Sequence, residues 1–159
     1  VNTRIQKLKD GNYDAIILAK AGVERLDLSE YIDDVFTTEQ LVPAPGQGAI
    51  AIQCLDQNIN IFSKLNDEKT LITTTAERSF LQHLGGGCSL PVGAYCIFEN
   101  GELTIKGRVV SLEGKDVINV VKKSTSFPNK QKVAFAQDIG KELAEDALNN
   151  GAKNIIAKI

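Results

Sequence analysis

Alternating apolar and polar side chains between residues 92 and 121 constrain the fold of this chain more than any other feature. The alternating runs occupy residues 92–98, 103–110 and 117–121. Asn100-Gly101 and Glu113-Gly114 separate the runs, and Asn-Gly between alternating runs is a strong short-range hairpin signal. This pattern predicts a three-stranded antiparallel meander.

Helical patterns lie on both sides of the predicted meander. Asn66 or Asp67 can cap a helix whose apolar residues recur every three or four positions up to Leu84. A second such helix covers residues 133–148, and a last short strand is predicted at residues 155–157. We expect the second helix to cover the meander, which gives a small α+β domain.

The first part of the chain has a different pattern. Asn2 or Thr3 can cap a short helix that Gly11 ends, and residues 13–19 form an almost unbroken apolar run. Such a run is typical of a parallel strand that is buried on both faces. An open turn, a short helix and a short strand are then predicted at residues 20–25, 29–32 and 35–38. Helix followed by buried strand predicts an α/β unit.

Residues 41–48 contain two prolines and two glycines, a composition that can continue neither a helix nor a central strand. Residues 49–55 predict another buried strand, in which Cys54 packs as a small hydrophobic side chain. The proline-rich loop therefore connects two sheet elements or two lobes. Composition places the boundary between the α/β part and the α+β part near residues 63–67.

Composition and charge exclude several classes of protein. The hydrophobic share of 43% is that of a globular chain, and a net charge of −2 leaves no basic stripe for nucleic acid. No apolar run reaches the ~20 residues that cross a bilayer, and no secretory signal is recognisable, so we expect a cytoplasmic protein without membrane association. The chain begins without methionine, and we expect a fragment of a longer protein.

The three cysteines, Cys54, Cys88 and Cys96, lack the spacing of a zinc site or a disulfide framework, so we expect free thiols and no metal. Cys96 lies within a predicted strand, where inert packing is the usual role. Cys88 follows Gly85-Gly86-Gly87, which give a thiol little cover, so an exposed and reactive thiol is predicted. The preceding helix end opposes thiolate formation, so this thiol needs a strongly electrophilic partner.

Neighbouring residues have plainer interpretations. The triple glycine follows a helix end instead of preceding a helix start, which disfavours a phosphate-binding loop. His83 is expected to satisfy carbonyls of its own helix, and Glu77-Arg78 is expected to form a solvent-facing ion pair. Arg4 and Arg25 can bind carboxylates bidentately, although either alone is more often a solvated surface charge.

Five separate motifs resemble the C-terminal half of one enzyme family, hydroxymethylbilane synthase, also called porphobilinogen deaminase. In family order they are Asn2-Thr3-Arg4, residues 13–19 with Ala21-Gly22 and Arg25, Pro43-Ala44-Pro45-Gly46-Gln47-Gly48-Ala49, Thr75-Ala76-Glu77-Arg78, and Gly86-Gly87-Cys88-Ser89-Leu90-Pro91-Val92-Gly93-Ala94-Tyr95. Each motif is weak alone, whereas five in order across almost the whole chain are highly specific.

The resemblance implies a transferase of tetrapyrrole and heme biosynthesis that joins four porphobilinogen units into hydroxymethylbilane and releases ammonia at each step. Cys88 matches the cysteine that holds the family's dipyrromethane cofactor through a thioether, and Arg4 and Arg25 match arginines that bind pyrrole carboxylates. Leu18, Ala19 and Gly48 match main-chain segments that contact pyrroles. Loss of ammonia from porphobilinogen gives a very electrophilic methylene-pyrrolenine, which a thiol of ordinary pKa can capture.

The family fold has two lobes like those of periplasmic binding proteins and a third α+β domain that carries the cysteine. The resemblance places residues 1–42 in the second lobe, residues 43–66 in the crossover and a strand that returns to the first lobe, and residues 67–159 in the third domain. The family's catalytic aspartate belongs to the N-terminal half, and no aspartate here matches its motif. We therefore expect no catalytic residue in this chain and no turnover by it alone.

Two alternatives from other classes stay open. A non-catalytic small-molecule binding module would use the same lobe architecture without an adduct on Cys88. A structural or interaction domain would dock through the meander and its helix. The enzyme interpretation names as partners porphobilinogen, the growing polypyrrole and the N-terminal half of the same protein, and it implies a monomer when full length.

Overall fold

The computed structural model describes residues 1–87 and 90–158. The chain forms two compact units, Val1–Gln40 and Leu41–Ile159. The larger unit combines helices with a three-stranded antiparallel sheet, so the protein has a mixed helix and sheet structure. Within the described ranges no helix is both long enough and apolar enough to span a bilayer. The division into residues 1–42, 43–66 and 67–159 stays a prediction.

The smaller unit is built from short helices and irregular chain. α1 covers Asn2–Lys9, α2 covers Lys20–Glu24, and a 3₁₀ turn covers Ser29–Tyr31. The buried apolar side chains of this unit are Ile5 of α1 and Val23 of α2. Its core is therefore small, and most of its surface is exposed.

Two local predictions for this unit are wrong. Neither Asn2 nor Thr3 caps α1, because both lie within the helix and no side chain bonds to its first turn. The stretch predicted as an open turn forms α2, since the Ala19 carbonyl accepts a hydrogen bond from Gly22 N at 3.0 Å and starts a helical turn. The end of α1 is as predicted, and Gly11 has a φ of 74° there.

The strands predicted at residues 13–19, 35–38 and 49–55 are wrong for this structure, because these stretches are irregular. Most of their apolar side chains are exposed, and Ile17 and Ile50 are 65% and 84% accessible. A strand needs a neighbour that completes its backbone hydrogen bonds, and every strand in the described ranges lies after residue 91. None of these strands pairs with the three apolar runs.

The larger unit contains the predicted meander. β1 covers Val92–Glu99, β2 covers Glu102–Val110 and β3 covers Val117–Ser124, paired antiparallel in the order β1-β2-β3. Asn100 and Gly101 form the first turn with φ of 53° and 77°, a left-handed pair that asparagine and glycine accept more readily than other residues. The prediction of a three-stranded antiparallel sheet is confirmed.

Two helices of 16 residues pack on one face of this sheet, as predicted: α4 covers Glu68–His83 and α5 covers Lys132–Ala147. Asp67 caps α4 by accepting hydrogen bonds from Thr70 Oγ1 at 2.6 Å and Thr70 N at 2.7 Å, and these bonds lower the pKa of Asp67. Alternate residues of β1 and β2 are buried, as expected for a sheet covered on one face. The core consists of Ile72, Ala76, Phe80, Leu84, Val92, Ala94, Cys96, Leu103, Ile105, Val109, Val120, Ala136, Ile139, Leu143, Ala144, Ala147, Ala152 and Ile155.

Short helical segments complete the larger unit. They are 3₁₀ turns at Asp56–Asn58 and Ser63–Leu65, α3 at Ile59–Phe62, a π turn at Leu148–Ala152 and α6 at Lys153–Ile156. The strand predicted at residues 155–157 is therefore wrong. A run of three apolar residues does not distinguish a strand from a helical turn, and as a helix it brings Ile155 into the core at 4% exposure.

The close contact between α4 and α5 depends on Gly140. A Cβ on this residue would lie 2.2 Å from the Ala76 carbonyl oxygen and 2.8 Å from Ser79 Cβ. We expect Gly140→Ala to destabilise the larger unit by about 1–3 kcal/mol, because displacing a backbone carbonyl outweighs a gain of roughly 1 kcal/mol in helix propensity. Urea unfolding measures the difference, with Lys141→Ala as the exposed control on the same helix. A Gly140→Ala protein as stable as the wild type would contradict this expectation.

Candidate functional site

The glycine loop at residues 85–87 ends α4 and precedes β1. Gly86 N donates to Leu81 O at 3.0 Å, and Gly85 N donates to Gln82 O at 3.2 Å, which is the Schellman arrangement of a helix end. The three glycines have φ of 109°, 60° and 129°, a region that residues with a Cβ rarely adopt. The triple glycine therefore terminates the helix, as predicted.

The same loop is open to solvent. Gly85, Gly86 and Gly87 are exposed, and a Cβ on Gly85 or Gly86 would meet no atom of the described residues within 4 Å. Cys88 and Ser89 lie outside the described residues, so the predicted exposure of the Cys88 thiol stays a prediction. The described part of the loop leaves room for a bulky group beside the main chain.

The other two cysteines are free thiols that differ in burial. Cys96 lies on β1, and its burial, together with the negative charge of Glu77, raises its pKa to about 12. A thiol with that pKa stays protonated at neutral pH, so the predicted inert packing of Cys96 is confirmed. Cys54 is half-buried, although the strand predicted around it is absent.

Glu77 is a buried carboxylate, so the predicted solvent-facing pair with Arg78 is wrong. Glu77 is 6% exposed, its Oε2 accepts from Gly46 N at 2.7 Å, and its Oε1 accepts from Cys96 N at 2.8 Å. Burial raises the pKa of Glu77, while the two backbone N–H groups and the charge of Arg78 oppose that rise. The sequence carries a signal for this burial, because Glu77 lies three residues before Phe80 on the apolar stripe of α4.

A polar groove with a volume of about 420 Å³ is lined by α4 and α5, with Arg78 and Lys141 among its side chains. His83 lines the same groove, and its Nδ1 lies 2.8 Å from Ser79 O, so it satisfies a carbonyl of its own helix as predicted. Across the described ranges, no group of three or more histidine, cysteine, aspartate or glutamate side chains is arranged to hold a metal ion.

Arg4 and Arg25 lie in the smaller unit, in or next to its two α-helices. Arg4 lies in α1, and Arg25 is the residue that follows α2. A Cβ on Gly22 of α2 would lie 3.8 Å from Cγ2 of Val1, the residue before α1, so α2 passes close to the start of α1. Both arginines are exposed, and neither forms an ion pair with another residue that the structure describes. Their guanidinium groups can therefore take an anionic ligand.

The main-chain segments predicted to contact pyrroles fall in both units. Leu18 is half-buried, and Ala19 is exposed directly before α2, in the unit that contains the two arginines. Gly48 lies in the larger unit, is exposed, has a φ of 85° and would have no atom within 4 Å of a Cβ. The site roles of all these residues stay predictions.

Two family models together match most of this chain. The model described as porphobilinogen deaminase, dipyromethane cofactor binding domain, matches residues 1–63. The model described as porphobilinogen deaminase, C-terminal domain, matches residues 71–149. The first match contains Arg4, Arg25 and Gly48, and the second contains Cys88.

Curated relatives named porphobilinogen deaminase match along the whole chain. The relative from Deinococcus radiodurans is 41% identical over 162 residues, which cover 100% of this chain and 50% of the relative. The relatives from Nitratiruptor sp. and Brevibacillus brevis are 38% and 39% identical to this chain. The aligned residues cover 99% and 100% of this chain, respectively, and 50% of each relative. The chain spans about half the length of the curated relatives it matches. It belongs to the porphobilinogen deaminase family.

Proposed function

We propose that this chain is the C-terminal part of a hydroxymethylbilane synthase, which joins four porphobilinogen units into hydroxymethylbilane and releases ammonia at each step. The ordered pair of family matches carries the proposal, with a cofactor-binding domain over residues 1–63 and the C-terminal domain over residues 71–149. The substrates are then porphobilinogen and the growing polypyrrole. The catalytic acid belongs to the half of the relatives that this chain does not match.

Several residues suit the dipyrromethane of the matched domain, and this supports the proposal. The family resemblance implies that this group is two linked pyrroles that carry carboxylates. The open glycine loop leaves space for a bulky group, and the exposed guanidinium groups of Arg4 and Arg25 suit carboxylates. The family resemblance further implies that the main chain near Leu18, Ala19 and Gly48 contacts the pyrroles. When bound, the cofactor supplies the end on which the pyrrole chain grows.

Cys88 is the proposed attachment residue. Its Sγ adds to the exocyclic methylene carbon of a methylene-pyrrolenine, which forms after porphobilinogen has lost ammonia. The C–S bond forms, the S–H bond breaks, and the proton passes to the pyrrole nitrogen. Cys96 does not compete for this reaction, because its buried thiol has a pKa of about 12.

The proposal extends to the fold of the whole protein. Residues 1–42 belong to a lobe of the periplasmic-binding-protein type, residues 43–66 cross to the other lobe, and residues 67–159 are the cofactor-carrying domain. Exposed Ile17 and Ile50 support this arrangement, because contiguous apolar runs are typical of strands that other segments cover. The full-length protein is proposed to be a cytoplasmic monomer.

Mass measurement tests the cofactor assignment. The chain is produced together with the half that completes the length of its relatives, and the digested protein is expected to carry a dipyrromethane on the peptide that contains Cys88. An unmodified Cys88 in a protein of full activity would refute the assigned role. The 159-residue chain alone is expected not to consume porphobilinogen. Normal turnover by this chain would refute the proposal that the catalytic acid lies outside it.

Arg25→Ala is expected to slow chain elongation in the full-length protein about tenfold or more, because a bidentate charged hydrogen bond to a pyrrole carboxylate is lost. Arg25 is exposed, so the free energy of unfolding is expected to change by less than about 0.5 kcal/mol. Porphobilinogen consumption and urea unfolding measure the two effects, with Lys7→Ala as an exposed cation control in the same unit. A large loss of stability with unchanged turnover would contradict the binding role.

A further inference from the structure

The outer edge of β1 is completed by groups that do not belong to a strand. Among the strands that the structure describes, only β2 pairs with β1, so β1 pairs along one edge. Toward the other side, Ala94 N donates to Pro43 O at 2.9 Å, and Cys96 N donates to Glu77 Oε1 at 2.8 Å. Unpaired N–H groups on a sheet edge attract foreign strands, or they cost free energy when they are buried. These two acceptors therefore protect the edge.

The carboxylate of Glu77 also holds the proline-rich segment, residues 41–48. Its Oε2 accepts from Gly46 N at 2.7 Å, so one side chain joins this segment to β1. The fit is close elsewhere too, because a Cβ on Gly93 of β1 would lie 2.6 Å from the Val42 carbonyl oxygen. Hydrogen bonds to a charged acceptor are about twice as strong as neutral ones. Glu77 therefore links the segment to the sheet through both of its carboxyl oxygens.

We propose that Glu77 is a positioning residue that fixes residues 43–48, and with them the main chain of Gly48, on the strand that follows the Cys88 loop. The inference rests on the proposed function only in the role of Gly48 as a pyrrole contact. Glu77 itself is not a proton donor or acceptor for substrate, since both of its oxygens accept backbone hydrogen bonds and it is 6% exposed. Its effect on the reaction passes through the geometry of the segment.

Hydrogen exchange followed by mass spectrometry tests this role without any ligand. In Glu77→Gln the amide NH₂ faces one of the two backbone donors, so only one hydrogen bond is kept. We expect residues 41–49 to exchange about tenfold faster, while β2 and α5 keep their protection. The matched control is Glu68→Gln, an exposed carboxylate on the same helix that pairs with Lys132 at 2.9 Å, and it is expected to change nothing in residues 41–49.

Gly93→Ala provides a second, independent perturbation. Its Cβ pushes against the Val42 carbonyl and leaves Glu77 unchanged, so faster exchange in residues 41–49 is expected again. Unchanged exchange in both variants would overturn the proposal. An equal increase throughout the larger unit would overturn it as well, because it would show a general loss of stability instead of a released segment.

Activity then separates this proposal from the proposed function. In the full-length protein, Glu77→Gln is expected to keep the adduct on Cys88 while turnover falls about tenfold at saturating porphobilinogen. Unchanged turnover would overturn the positioning role. Absence of the adduct in the wild type would instead refute the proposed function, and the exchange result for residues 41–49 would still decide whether Glu77 fixes the segment.

Discussion

Phe80→Ala is expected to destabilise the larger unit by about 3–5 kcal/mol. Phe80 lies on the sheet-facing side of α4, is fully buried and is among the largest buried side chains of the core. Its ring lies over Gly107 of β2, where a Cβ would come within 2.4 Å of Phe80 Cζ. Glycine cannot fill the space that the ring leaves, so the cavity term adds to the lost burial of apolar surface.

A double-mutant cycle makes this expectation specific. Gly107→Ala alone is expected to destabilise the protein, because its Cβ overlaps the Phe80 ring. In the Phe80→Ala background the same methyl group has room, and it is expected to be neutral or stabilising, with a coupling of about 1 kcal/mol or more. Urea unfolding gives the four free energies, and Gln82→Ala on the exposed side of α4 is the control. Additive effects would show that the ring and the glycine do not share this space.

The sheet and the two long helices could be predicted because their signals are local. The turn at Asn100-Gly101 needs left-handed backbone angles, which these two residue types accept. The Asp67 side chain accepts a hydrogen bond from the N–H three residues later. Neither signal depends on distant parts of the chain. The alternation along β1 and β2 likewise follows directly from burial on one face of the sheet.

The strands predicted at residues 13–19 and 49–55 are wrong because their signal is not local in the same way. An unbroken apolar run is typical of a buried strand, but pairing partners decide whether the segment forms one. No described strand pairs with these runs, and Ile50 is 84% exposed. The apolar pattern alone therefore does not determine whether these segments form strands.

The sequence predicts only part of the candidate site, for a related reason. The glycine loop and the two arginines were recognisable from residue types and from their order along the chain. The role of Glu77 was missed because its hydrogen-bond donors, Gly46 and Cys96, are distant in sequence. A charged residue on an apolar helix stripe marks burial, but only the tertiary structure shows which N–H groups it meets.

In the full-length protein, Cys88→Ser is expected to abolish the adduct and to lower turnover at least about a thousandfold. A serine hydroxyl is a far weaker nucleophile than a thiol, so it does not capture the methylene-pyrrolenine efficiently. Under the proposed function the variant also loses its primer, and no second site is expected to replace it. Intact mass and porphobilinogen consumption measure the two losses, and urea unfolding shows whether the variant still folds.

The other two cysteines provide matched controls for Cys88→Ser. Cys96→Ala removes a thiol whose pKa of about 12 keeps it protonated, so it is expected to leave the adduct in place at a cost of about 1 kcal/mol in stability. Cys54→Ser removes a half-buried thiol and is expected to leave both adduct and turnover unchanged. If Cys88→Ser retained the adduct while Cys54→Ser or Cys96→Ala lost it, the attachment residue would be reassigned. If Cys88→Ser alone loses the adduct, the cofactor is attached at the open glycine loop.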